Sequence, residues 1–180
     1  MMKRLRAAVL LGAALMTTQI GLAADRAPDR TETRIEKQVR RELVTLPYYN
    51  LFDSFSFRVD GDAVTLMGEV TRPTLKSDAE NVVKRIEGIR TVNNQIEVLP
   101  LSPNDDRLRL SLYRAIYGHT VLQTLAIRAV PPIHILVKNG NVTLEGAVAN
   151  SMQKTIAGMQ ANSVSGVFSV TNNLLLDDAS

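Results

Sequence analysis

The chain has 180 residues, a formal net charge of +3 and no cysteine, and its sequence pI is near 9.4. Without cysteine it builds no disulfide framework, no Cys-ligated zinc site, no thiol nucleophile and no lipidated cysteine. A content of 45% hydrophobic and 22% charged residues marks a globular chain rather than a disordered one. The pI invites a nucleic-acid reading, which holds only if the positive charge sits on the folded part.

The first 24 residues read as a cleavable signal peptide. Lys3, Arg4 and Arg6 form a basic start, and Ala7 to Met16 is an unbroken run of small and apolar residues. That run has the length of a signal core and is too short to span a bilayer. Small residues follow, and cleavage is expected after Ala23 or Ala24; an N-terminal membrane anchor is the alternative. The segment holds three of the 21 basic residues and none of the 18 acidic ones, leaving 18 against 18 in the rest. A neutral, exported chain with 4% aromatic residues offers few stacking platforms, which disfavours nucleic acid. The expected location is the periplasm, or outside the cell.

The remainder is a tandem repeat. Val59–Val70 (VDGDAVTLMGEV) aligns with Val137–Val148 (VKNGNVTLEGAV) at an offset of 78 that holds to the C-terminus. Upstream, Ile35, Val39 and Leu43 match Leu108, Leu112 and Ile116 at an offset of 73, so the second copy carries five extra residues before its first strand. Each copy reads as helix, strand, strand, helix, strand. Ile35, Val39, Leu43 and Leu46 recur at helical spacing. Phe55, Phe57 and Val59, then Val64 and Leu66, alternate around Asp60-Gly61-Asp62, which predicts a hairpin. The second hairpin turns on Asn139-Gly140, a pair suited to the type I′ geometry. Pro73 opens the next helix of copy one, with Ala79, Val82, Val83 and Ile86 as its buried stripe. Asn150 or Ser151 caps its counterpart, where Met152, Ile156 and Met159 are expected to face inward. Gly88 and Gly166 stand just past these helices as left-handed stops. Gly68 and Gly146 sit inside strands, which predicts a β-bulge or a close helix-to-strand crossing with no room for a Cβ; close approach of a ligand is the alternative.

The predicted fold class is therefore α+β. Two tandem αββαβ modules, 31–99 and 107–177, are joined by a linker over 100–106. Each module is a three-stranded mixed sheet with two helices on one face, and its third strand runs parallel to its second.

The motif Val64-Thr65-Leu66-Met67-Gly68 followed by Gly88-Ile89-Arg90-Thr91-Val92-Asn93-Asn94 occurs again. Its second form is Val142-Thr143-Leu144-Glu145-Gly146 with Gly166-Val167-Phe168-Ser169-Val170-Thr171-Asn172-Asn173-Leu174. This doubled pattern resembles the BON domain. Copy two is the closer match; copy one has Ile89 where the pattern prefers Val. The resemblance implies a non-enzymatic binding module without cofactor. It implies contact with anionic phospholipid and support of envelope integrity or osmotic stress tolerance. It supplies no catalytic residues. With no cysteine to carry a lipid, membrane contact is expected to be reversible. A protein-interaction or chaperone-like role on envelope proteins is the alternative.

The residues themselves offer little chemistry. His119 follows Gly118 at a helix end, and His134 lies between Ile133 and Ile135, so it is expected to point away from the apolar side, into solvent. Two histidines without carboxylates at ligand spacing make no metal site. Asp60 and Asp62 lack the downstream ligands of a calcium loop and read as turn residues. Charge is more informative. Arg34–Leu99 balances ten basic and ten acidic residues. Arg107–Leu176 sets Arg107, Arg109, Arg114, Arg128, Lys138 and Lys154 against Glu145 alone, a net +5. Such a module suits an anionic headgroup layer. Tyr113 and Tyr117, four apart, lie beside these charges and join them as candidate lipid contacts. The competing reading of the tyrosines and of Val121–Val130 is core or module interface. Tyr48, Tyr49, Leu51 and Phe52 form a similar cluster, read as packing.

Overall fold

The computed structural model describes residues 30–177, and the leader expected over 1–24 lies outside them. The four-residue spacing of Ile35, Val39 and Leu43 puts all three on the buried side of helix α1 (Arg30–Val44). Strands β1 (Ser54–Asp60) and β2 (Ala63–Val70) form the antiparallel hairpin, in register from Ser54–Glu69 to Asp60–Ala63. Helix α2 (Pro73–Lys84) starts on proline, whose missing N–H costs nothing in the first turn. It buries Leu75, Ala79 and Val83. Strand β3 (Thr91–Asn94) returns parallel to β2, and β4 (Glu97–Val98) continues along the same strand. The buried face of the sheet, Val64, Leu66, Val70 and Ile96, meets both helices in one core.

The second module repeats this plan with its own core. Its elements are α3 (Pro103–Tyr117), β5 (Ile133–Lys138), β6 (Asn141–Val148), α4 (Ser151–Asn162), β7 (Ser169–Asn172) and β8 (Leu175–Leu176). The hairpin turn has φ +52° at Asn139 and +78° at Gly140, as a type I′ turn requires. Helix α3 begins inside the stretch 100–106, capped by the Ser102 hydroxyl, which accepts from the Asp105 N–H at 3.2 Å.

The fold is the expected α+β pair of mixed sheets, with three differences in detail. First, each third strand is broken in two. The Asn94 side chain donates from Nδ2 to the Lys76 carbonyl (2.8 Å) and accepts from the Ile96 N–H (3.2 Å). That turns the chain so that Ile96 enters the core. Asn172 does the same to the Lys154 carbonyl (2.8 Å) and the Leu174 N–H (3.3 Å). Second, Ile156 packs against the core as expected, but Met152 and Met159 do not face inward; they are 62% and 64% exposed, while Ala157 and Ala161 are buried. The inward stripe is rotated by one residue, about 100°, because α4 lies too close to the sheet for the methionine side chains. A Cβ on Gly158 would stand 2.9 Å from the Asn172 amide nitrogen. Third, what crowds Gly68 and Gly146 is not a helix. A Cβ there would collide with the carbonyl oxygens of Ser54 and Pro132 at the start of the neighbouring strand. Their φ angles of +121° and +111° also suit glycine alone. Gly88 and Gly166, at φ +96° and +91°, close one further turn beyond their helices.

Candidate functional site

The basic residues of the second module divide into two groups. Arg107, Arg114 and Arg128 are exposed and Lys154 is half-buried. Arg107, Leu110 and Arg114 share one face of α3 by their spacing, and Leu110 is itself exposed. Ile127, 85% exposed, precedes Arg128 in the connection from α3 to β5. Of the other candidates, Arg109 and Tyr117 do not reach the surface. Arg109 is 5% exposed. Its guanidinium donates to the Val137 carbonyl (2.7 Å) and pairs with Asp106 (2.5 Å). Tyr117 is buried as well: its hydroxyl donates to the Ile133 carbonyl (2.7 Å) and accepts from the Ile133 N–H (3.0 Å). Burial pushes its pKa upward. Both are fixtures that tie α3 to β5, so they are corrected from candidate lipid contacts to structural residues. Tyr113 is half-buried against the core, 5.3 Å from the Tyr117 ring. Lys138 is spent on Glu97 of the first module at 2.5 Å, and that partner raises its pKa.

One structural carboxylate stands where a linker was read. Asp105 is fully buried and accepts from the Asn139 and Gly140 N–H groups (2.8 and 2.9 Å), capping the hairpin turn from below. Its only sequence signal is its place three residues after a capping serine.

His134 also differs from expectation. It is half-buried at the junction of the modules, and its Nδ1 donates to the Asp53 carbonyl at 2.6 Å. Its ring stacks on Tyr49 at 5.7 Å, and Tyr49 stacks on Phe55 at 5.1 Å. The side of the strand that faces away from its own core here faces the other module. Burial holds its pKa below the ordinary value. Burial, with Asp53 and Glu145 adding charge, pushes Tyr49 up to about 12. The segment before β1 completes the junction. The Leu51 carbonyl accepts from the Ile135 N–H (2.8 Å), and Leu51 and Phe52 pack against the second core. The Ser54 hydroxyl donates to Glu145 at 2.5 Å. Buried Asp53 braces this segment by accepting from the Thr71 N–H (2.6 Å) and hydroxyl (2.8 Å). The packing role read for Leu51 and Phe52 is thus an inter-module one.

Beside the junction opens a cleft of about 690 Å³ between α1 and β1 on one wall and β5, β6 and β8 on the other. Phe55, Phe57, Val44, Pro131 and Leu175 make it mainly apolar, and Arg40 and Arg128 line it. Among the described residues no group of three or more His, Cys, Asp or Glu side chains is placed to hold a metal. No described helix is long and apolar enough to cross a membrane.

The family model described as the BON domain matches residues 31–100 and 119–178. The chain belongs to the BON domain family. In this BON chain the first helix of the second module, α3, lies before the second matched region. BON domains are generally non-catalytic binding modules, and no enzyme family is indicated. No curated protein matches the chain. Two solved structures that it resembles are both of CdsD, a structural protein of the type III secretion system of Chlamydia trachomatis. One, of the C-terminal domain, is 15% identical, with 78% of this chain and 96% of that chain covered and a TM-score of 0.28. The other is 15% identical, with 81% and 94% covered and a TM-score of 0.29.

Proposed function

We propose that this BON protein is a non-enzymatic, exported envelope protein that touches anionic phospholipid reversibly through its second module. Its role is to support envelope integrity or osmotic stress tolerance. The observation that carries the reading is the pairing of exposed apolar and cationic side chains on one module: Leu110 between Arg107 and Arg114, and Ile127 beside Arg128. An apolar side chain enters the headgroup boundary while its cationic neighbours stay with the phosphates. Each cation near such a surface contributes about 1 kcal/mol, and salt screens it. Arg109 and Tyr117 take no part, because their groups are spent inside the protein, and Lys138 is paired at the surface with Glu97. Lys154 and Tyr113 are secondary contacts.

Co-sedimentation with vesicles tests the proposal. Vesicles of phosphatidylglycerol or cardiolipin are expected to carry the protein down at low salt and release it at high salt. Phosphatidylcholine vesicles are expected to leave it in solution. The double variant Arg114→Glu, Arg128→Glu is expected to lose about tenfold or more in binding, two charges each being reversed. No sedimentation with anionic vesicles at low salt overturns the reading.

A further inference from the structure

The apolar cleft has an unusual wall. Strand β1 pairs with β2 on one side, and its other edge meets no strand among the described residues. The two-residue turn closes on the pair Asp60–Ala63. That closing pair exchanges backbone hydrogen bonds, and bonding alternates along the ladder from there. Asp60, Arg58 and Ser56 therefore direct their N–H and C=O groups to β2. Phe55, Phe57 and Val59 direct theirs outward. No backbone partner for these outward groups is found among the described residues.

Those of Phe55 and Phe57 face the cleft, and Val59 continues the same edge beyond it. A strand lines a surface with alternate residues when it presents one face. Here Ser54, Phe55, Ser56 and Phe57 line the cleft consecutively, so the backbone edge itself forms the wall. The opposite wall includes Pro131 and Pro132. Proline has no N–H to give, which keeps the second module from pairing with this edge.

We propose that the outer edge of β1 takes up an extended, mainly apolar polypeptide segment bearing a carboxylate, as an added strand. Main-chain hydrogen bonds to Phe55, Phe57 and Val59 hold it, and alternate side chains enter the apolar cleft. Arg40, which stands 5.7 Å over the Phe57 ring, and Arg128 receive the carboxylate. The acid of the cleft, Glu145, is engaged by Ser54, which lies three residues from Phe57, about 10 Å along the strand. A hydrocarbon chain suits the walls but not this edge, because it covers the outward N–H and C=O groups without replacing their hydrogen bonds to water. The site shares Arg128 with the lipid surface, but its strand edge and Arg40 belong to the first module, and its test contains no vesicle.

The probe is a soluble, capped nine-residue peptide of alternating Val and Thr ending in two Asp, titrated into the ¹⁵N-labelled protein. The amide signals of Phe55, Phe57 and Val59 are expected to shift, and their hydrogen exchange to slow about tenfold or more at saturation. N-methylation of one alternate set of peptide amides is expected to abolish binding, and methylation of the other set to leave it intact. That comparison needs no protein variant. Arg40→Glu is expected to weaken binding about tenfold. The proposal is overturned if millimolar peptide leaves the β1 amides unmoved, or if both methylated peptides bind alike. It is also overturned if laurate moves these amides and the peptide does not, which makes the cleft a hydrocarbon site.

Discussion

Single residues in this protein take their roles from the element that stands opposite. His134 shows this most clearly. On its own strand it points away from the core, yet the first module closes over it, and its Nδ1 donates to Asp53 at 2.6 Å. Tyr49 stacks on the ring and Asp53 and Glu145 lie near it, but burial outweighs the two carboxylates and holds its pKa below the ordinary value. The unfolded chain returns the imidazole to about 6.5. Below that pH the unfolded state binds the extra proton first, so stability falls as pH falls. The contribution is fully present above about pH 6.5 and is lost progressively toward the lower pKa of the folded state. Urea midpoints measured from pH 7.5 to pH 5 are expected to fall for the native protein and to fall less for His134→Gln. Parallel pH profiles for the two proteins would exclude His134 as the source. The same logic separates Arg109 from Arg107: two positions along α3 turn one cation into the core and leave the other in water.

At the scale of elements, small residues set the packing distances. Helix α4 approaches its sheet on Ala157 and Ala161, with Gly158 against Asn172, so its methionines are left outside. Met159→Ser is expected to change stability by no more than about 0.5 kcal/mol, as for other exposed positions. Ala157→Leu is expected to cost about 1–3 kcal/mol, because the added volume has nowhere to go. A lower urea midpoint for Met159→Ser than for Ala157→Leu would show that Met159, not Ala157, carries packing. Much of this scale is legible in the sequence. The Asn139-Gly140 turn, the proline start of α2 and the stripe Ile35, Val39, Leu43 depend on neighbours within a few residues. The direction of α4 is not legible in this way. Met152, Ile156 and Met159 make a better hydrophobic stripe than Ala157 and Ala161; Ile156 does pack against the core, and the closeness of the Asn172 strand leaves only the two methionines outside. The role of Asn94 and Asn172 is half legible: the repeat marks the pair, but their bonds reach back 18 residues to Lys76 and Lys154.

The whole molecule consists of two cores coupled by a narrow set of contacts. Leu51 and Phe52 lend apolar surface to the second core, the Leu51 carbonyl takes the Ile135 N–H, and Ser54 holds Glu145. A module of this size buries a modest core alone, so these contacts tie the stability of one to the other. Urea unfolding followed by circular dichroism and by tyrosine fluorescence is expected to show one coincident transition. The double variant Leu51→Ala, Ser54→Ala is expected to split it into two. A single transition that persists in the double variant, or two already present in the native chain, would show that the junction does not couple the modules. The same junction positions the cleft, since Arg40 reaches it from α1 and Arg128 from the loop before β5.

The sequence by itself determined the repeated αββαβ module, the turns and most of the core, because each rests on spacing and turn chemistry that act over a few residues. It also showed that the excess charge of +3 resides in the first 24 residues. Tertiary structure decided which of the remaining cations meet water. Arg109 is buried against Val137, 28 residues away, whereas Lys138 stays at the surface, paired with Glu97, 41 residues away. It also decided that His134 is covered by Asp53, 81 residues away. Periodicity places a side chain relative to its own helix or strand. What waits on the other side is set by how the two modules close on each other, and no local spacing carries that.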